Sequence, residues 1–229
     1  MAKPMPASWI NRHHTRRVIA PLVLSILLLS ILLLMVGKTA GAHPEYLPNE
    51  ISMVFFINQD TSGIEVMVRT PAYLFENFGL PLRGQDSIDV DAFEGIDPFD
   101  PQGRPYTKRA ARAVGSAFKI LADDEVIDLK VGRVQLAPKN SSAFDGFNAV
   151  SAHLKNSPPS VKAEISLYTG FIDIRYFSNT KGNLVFVPTV GPVMAERMKF
   201  HLQYFLEGRM VESTTIPGWI KGVNLESTD

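Results

Sequence analysis

The chain predicts a mainly β fold, and three observations carry that prediction. Short apolar or alternating runs follow one another from residue 51 to residue 216, separated by turn residues. Two of the loops between them, Gln59-Asp60-Thr61-Ser62-Gly63 and Ala122-Asp123-Asp124-Glu125, are hairpin signals. Good helix formers gather at only one or two places. Many short strands punctuated by turns predict an antiparallel β-sandwich, immunoglobulin-like, with one or two short helical insertions. A hydrophobic helix is expected before it, at the N-terminus.

That N-terminal segment is the uncharged apolar run from Val18 to Gly37, 20 residues long. Arg12, Arg16 and Arg17 precede it, and Ala40-Gly41-Ala42 follows. A positive stretch, an apolar stretch and a small-x-small site form an export signal in that order. Basic residues stay on the cytoplasmic side, so everything after Ala42 is expected outside. Ala40 and Ala42 fit signal-peptide cleavage, which would make His43 the new terminus. The run also has the length of about 20 residues that crosses a bilayer as a helix, so retention as an anchor is the alternative to cleavage. The domain plan is 1–42 as signal peptide or membrane anchor and 43–229 as an exported β-domain, periplasmic or extracellular, either soluble or anchored by residues 18–37.

Each element then follows in order. Ile51–Asn58 and Ile64–Thr70 pair as a hairpin, and in the second run Ile64, Val66 and Val68 alternate with Glu65, Met67 and Arg69 as in a half-buried strand. Pro71 opens a short helix over Ala72–Phe78. Gly79 to Arg104 carries Pro81, Pro98, Pro101 and a series of aspartates, and reads as a long surface loop. A helix is expected from Pro105 to about Ser116, with proline at its start. Phe118–Leu121 and Val126–Ala137 flank the Asp123-Asp124 turn as a hairpin. Phe147–Leu154 reads as a strand. Val161–Tyr168, Phe171–Phe177, Leu184–Val187, Arg197–Leu206 and Met210–Ile216 complete the set.

Charge and composition exclude several functions. Lys3, Arg12, Arg16, Arg17 and Lys38 are the basic residues of the first 42, which hold no acidic one. Of the chain's 23 basic and 23 acidic residues, the remainder therefore carries 18 and 23, a net charge of −5. A mildly acidic domain argues against nucleic acid as a partner. The chain has no cysteine, which removes thiolate metal sites and thiol chemistry.

Motifs for catalysis are missing: no G-x-S-x-G elbow, no His-Glu-x-x-His and no P-loop occurs. The metal-ligand candidates are His43, His153 and His201. A free N-terminal His43 would offer an α-amine and an imidazole to one ion, a chelate suited to copper or nickel, with His153 or His201 as a further ligand. The series Asp86 to Asp100 lacks the order of a calcium loop and reads as solvated surface. Met194, Met198, Phe200, Leu202 and Tyr204 share one strand parity, so they are expected on an apolar core face, with His201 facing the other way. Asn140-Ser141-Ser142 matches a glycosylation acceptor.

Several short segments in order resemble one family. Ala42-His43-Pro44, the strand pair ISMVFFIN and IEVMVRT, Leu80-Pro81-Leu82, the helix leading to the Asp123-Asp124 turn, Phe171–Tyr176 and Asn183–Pro188 are similar to the extracytoplasmic N-terminal domain of HupE/UreJ-like membrane proteins. The resemblance implies an exported β-domain. It does not bring nickel transport with it, since the motif-bearing membrane helices of that family have no counterpart in this chain. The expected function is a non-enzymatic binding module of the cell envelope. Its partners are the membrane, through the N-terminal segment, and another envelope protein. Periplasmic binding or delivery of copper or nickel through His43 is the alternative.

Overall fold

The structure, a computed structural model, describes residues 49–155 and 164–225. The hydrophobic run, Ala40, Ala42 and His43 lie outside these residues. In chain order the elements begin with β1 (Ile51–Asp60), β2 (Gly63–Pro71), a 3-10 helix (Ala72–Phe78), β3 (Leu82–Arg83), β4 (Ser87–Ile88), α1 (Val90–Glu94) and α2 (Tyr106–Gly115). Then come β5 (Phe118–Ala122), β6 (Glu125–Val126), β7 (Lys130–Ala137), a 3-10 turn (Ser142–Phe144) and α3 (Phe147–Lys155). The last are β8 (Ile165–Ser166), β9 (Phe171–Ser178), β10 (Leu184–Pro188), α4 (Pro192–Ala195), β11 (Met198–Leu206), β12 (Arg209–Pro217) and β13 (Val223–Leu225).

These strands form a six-stranded sheet in the order β12-β11-β1-β2-β9-β7, a four-stranded sheet β13-β10-β5-β6, and a small sheet β3-β4-β8. Among the described residues every strand pairing is antiparallel except one. β1 and β11 run parallel from Ile51↔Met198 to Gln59↔Leu206, so the first and last long hairpins lie side by side. Parallel neighbours need a long crossover, and here nearly the whole domain supplies it.

Turn chemistry sets the hairpin registers. Asp123 and Asp124 both have positive φ (49° and 69°), as do Glu207 and Gly208 (51° and 77°). Two successive left-handed residues make the tight turn whose twist matches paired strands. At the β1–β2 turn Asp60 Oδ1 accepts from the Ser62 amide at 2.7 Å. Gly63 follows at φ +134°, and a Cβ there would stand 2.1 Å from the Ser178 carbonyl oxygen, so no side chain fits.

The main core lies between the inward face of the large sheet and the four-stranded sheet. Phe55 of β1 has ring centroids 5.0 Å from both Phe118 of β5 and Phe186 of β10, and 5.7 Å from Phe200 of β11. Met198, Phe200, Leu202 and Tyr204 are buried in this core, as their parity requires. Met194 is on α4 instead and packs against the same cluster.

The outward face of the large sheet is covered as well. Phe56, Met67 and Phe205 form a second apolar cluster with Val150 and Leu154 of α3. This changes two expectations. All nine residues of β2 are buried, so it is covered on both faces and not half-buried. Phe147–Leu154 is a helix, not a strand. Its Val150 and Leu154 stand four residues apart and share the face that meets the sheet.

Three further differences have physical causes. Gly79–Arg104 is not surface loop throughout: β3, β4 and α1 lie in it, and Phe93 is fully buried. The Asp123-Asp124 turn forms, but only β6 pairs with β5. Val126 to Asp128 then carries the chain to the other sheet, where β7 pairs with β9. Helical insertions number four α-helices and two 3-10 helices among the described residues, more than the one or two expected.

Tyr176 illustrates the closeness of this core. Its hydroxyl donates to the Ala111 carbonyl oxygen at 2.6 Å, and burial pushes its pKa far above the ordinary phenol value. Burial thus favours the neutral form in the folded state. That contribution is complete below the ordinary phenol pKa of about 10, and is lost as pH rises above it because the unfolded chain ionises first. Unfolding free energy should therefore fall above about pH 10, by about 1.4 kcal/mol per pH unit for each such tyrosine. Tyr176→Phe should flatten that slope in urea titrations run across the alkaline range. Separately, Phe55→Ala should cost about 3–5 kcal/mol in the same assay at neutral pH.

Candidate functional site

The polar residues with the most chemistry lie on the outward face of the large sheet, in one transverse row. Strand register places Thr215, His201, Val54, Arg69, Asp173 and Gln135 side by side across β12, β11, β1, β2, β9 and β7. Alternation puts Asp173 and Arg69 opposite the core side. The 3-10 turn and α3 then cover them.

Asp173 has no exposed surface, and its partner Arg69 is almost as deeply buried. Arg69 Nε donates to Asp173 Oδ1 at 2.8 Å and Nη2 donates to Oδ2 at 2.8 Å, a two-pronged contact. Arg69 Nη1 donates to the Ser141 carbonyl oxygen at 3.1 Å, and Nη2 donates to Ser141 Oγ at 3.2 Å. The rings of Phe144 and Phe171 lie 4.4 Å and 4.9 Å from the guanidinium carbon. His153 Nε2 stands 3.1 Å from Asp173 Oδ2. Gln135 Nε2 donates to the His153 carbonyl oxygen at 3.2 Å.

A second ion cluster closes the other side of α3. Glu65 pairs with Arg175 on the neighbouring strand and with Lys155 Nζ at 3.3 Å. Lys155 is in the last turn of α3, where positive charge is favoured by the helix dipole. The helix is thus held to the sheet by His153 against Asp173 and by Lys155 against Glu65, on either side of its apolar stripe.

This arrangement resembles a catalytic serine–histidine–aspartate set in composition but not in geometry. A nucleophile must sit within hydrogen-bond reach of its base. Here Ser141 Oγ accepts from Arg69 and from the Ala143 amide at 3.4 Å. Both Asp173 oxygens are occupied, and the guanidinium fills the position a cation would take beside them. The chemistry that follows is a closed ion pair. Ser141, read in sequence as part of a glycosylation acceptor, is consumed in that lock.

The structure places His153 and His201 apart. His153 is bound to Asp173 on β9. His201 Nδ1 lies 2.8 Å from Thr215 Oγ1 and Nε2 lies 3.2 Å from Ser52 Oγ. The row positions of His201 and Asp173 are separated by Val54 and Arg69, which is three strand spacings or about 14 Å. One metal ion, with ligands about 2 Å from it, does not reach both. Among the described residues no group of three or more His, Asp or Glu side chains is placed to hold a metal. His43 lies outside these residues.

The aspartate series is built into its own loop. Asp89 Oδ1 accepts from the Ala92 amide at 3.1 Å and caps α1. That amide, with help from Arg83, holds the Asp89 carboxyl below its ordinary pKa. Asp97 is buried, accepts from the Phe99 amide and faces Arg109 Nε at 3.1 Å. Asp100 pairs with Arg104 at 2.8 Å. An open polar cleft of about 710 Å³ at the other end of the domain is lined by Gln59, Asp123, Asp124, Asn183, Tyr204 and Asn224.

The lock itself was missed in the sequence reading. The signal was present: β2 and β9 each carry charged residues, Glu65, Arg69, Asp173 and Arg175, on the non-core parity of otherwise apolar strands. Opposite charges on one face of neighbouring strands pair. Asp173→Ala should cost about 3–5 kcal/mol, because Arg69 is left buried without a partner. His153→Ala should cost about 1–2 kcal/mol. Urea unfolding followed by far-ultraviolet dichroism checks both.

No protein-family model matches the chain and no curated protein is significantly similar to it, so the functional reading rests on the chain's own residues.

Proposed function

We propose that the chain is an exported β-domain held at the outer face of a membrane by residues 18–37, where it works as a non-enzymatic binding module for another envelope protein. The observation that carries this reading is the uncharged 20-residue run behind Arg12, Arg16 and Arg17. No helix among the described residues is long and apolar enough to cross a membrane, so in this reading the N-terminal run alone supplies the attachment. The buried lock supports the non-enzymatic part, since its serine, histidine and aspartate are spent on holding α3 to the sheet. In this reading the two facing sheets form an immunoglobulin-like β-sandwich, a scaffold that commonly presents binding surfaces. The chain is then a relative of the extracytoplasmic domain of HupE/UreJ-like membrane proteins.

A C-terminal reporter that is active only outside the cytoplasm tests the placement. Activity is expected in the natural chain and should be lost when Arg12, Arg16 and Arg17 are all changed to Glu. A reporter active only inside would refute the reading. Intact mass of the membrane-bound protein should include residues 1–42. A mature chain beginning at His43, with a stoichiometric copper complex abolished by His43→Ala, would replace this reading with the metal one.

A further inference from the structure

An edge strand carries a row of unpaired N–H and C=O groups, which another strand can take up. Among the described residues the edges are guarded to different degrees. β13, β6, β3 and β8 are two or three residues long, and so short an edge gives little to pair with. β7, one edge of the large sheet, carries Lys130 and Arg133, is bulged between Val131 and Arg133, and has α2 and α3 packed against it. β12, the other edge, is nine residues long, and among the described residues β11 is its one strand neighbour.

The register shows which groups of β12 face out. The Gly218 amide donates to the Met198 carbonyl oxygen at 2.8 Å, and the ladder then runs unbroken from Pro217↔Lys199 to Glu212↔Tyr204. Alternate residues of an antiparallel strand bond to a given neighbour. Counting back from Gly218, Ile216, Thr214 and Glu212 bond to β11, while Thr215 and Ser213 turn their N–H and C=O groups to the open side. Both of those residues are exposed. The open stretch is bracketed, because Pro217 has no N–H and the register shifts beyond Glu212.

These limits fit a second copy of the same strand. Laid antiparallel about a two-fold axis at Thr214, the copies set Ser213 opposite the partner's Thr215 and Thr215 opposite the partner's Ser213. Residues paired in this way exchange both of their hydrogen bonds, so every outward group of the two is used. Glu212 then faces the partner's Ile216, and no like charges meet. The exposed apolar residues of this edge lie at its two ends: Met210 is 62% exposed, and Trp219, just past the strand, is 68% exposed. Antiparallel pairing brings the Met210 end of one protomer to the Trp219 end of its partner, where thioether and indole attract. We infer that the protein forms a two-fold dimer through β12, joining two six-stranded sheets into one. The inference does not depend on tethering by residues 18–37.

The chain has no cysteine, so an introduced thiol reports the contact directly. The two copies of residue 214 would face each other with Cα atoms about 4.5 Å apart, within the range of about 4.4–6.8 Å that a disulfide spans. Full-length Thr214→Cys in detergent, oxidised with copper–phenanthroline, is expected to become mostly covalent dimer. Lys130→Cys, on the guarded edge, should stay monomeric under the same oxidation. Thr214 is half-buried, so a second test uses the exposed positions beside it. Ser213→Cys mixed with Thr215→Cys before oxidation should give several-fold more dimer than either alone. Equal cross-linking at 214 and 130 overturns the two-fold pairing. So does folded protein that fails to cross-link at 214 and between 213 and 215. Slow hydrogen exchange of the Ser213 and Thr215 amides in the natural chain, with no cross-link at 214, means that another segment covers this edge, and also overturns it.

Discussion

One contact decides how the outer layer of this domain is organised: the buried pair of Arg69 and Asp173. A charged pair on a sheet face normally sits in water, where it contributes little. Here the 3-10 turn and α3 close over it, so both ions have left solvent. Burying them is costly, and the cost is offset only because nearly every polar atom is used. Asp173 receives two arginine nitrogens and faces the His153 ring; Arg69 spends its remaining donors on Ser141. The pair therefore has one satisfactory covering, which fixes where the turn and α3 lie. The apolar contacts of Phe56, Met67, Val150 and Leu154 add attraction, but such contacts are not directional. The seating of α3 on the sheet comes from the ions.

The same closure explains why part of the fold was legible in the sequence and part was not. Ile51–Asn58, Ile64–Thr70, Phe171–Phe177 and Arg197–Leu206 were plain because each has an inward face of alternate apolar residues. Phe147–Leu154 was misread because eight residues of mixed Phe, Ala, Val and Leu fit either period, and only the presence of a sheet beneath selects the helix. The parallel pairing of β1 with β11 left no local trace, since it joins strands at opposite ends of the domain. The break in Val126–Ala137 is tertiary too: Ile127 turns into the core, buried at 8% exposure, and redirects the chain between sheets.

Site residues follow a similar division. His201 was read as facing away from the core, and it does, among Ser52 and Thr215. His153 was read as a ligand, and its ring instead meets an aspartate 20 residues away in sequence. Nothing local announces such a partner. The aspartates between Asp86 and Asp100 looked like solvated charge, but Asp97 is buried against Arg109 because the loop needs a polar anchor inside. What results is a domain whose buried polar chemistry is spent on holding its own elements together.

Arg69 and Asp173 thus serve structure and act as one unit. The most direct measurement is a double-mutant cycle with Arg69→Met and Asp173→Leu, read by urea unfolding and by hydrogen exchange of the α3 amides. If the account holds, each single change destabilises strongly and exposes α3 to exchange, while the double variant recovers most of both losses because no charge is left buried alone. Additive losses in the double variant, with α3 protected in both single variants, would contradict it.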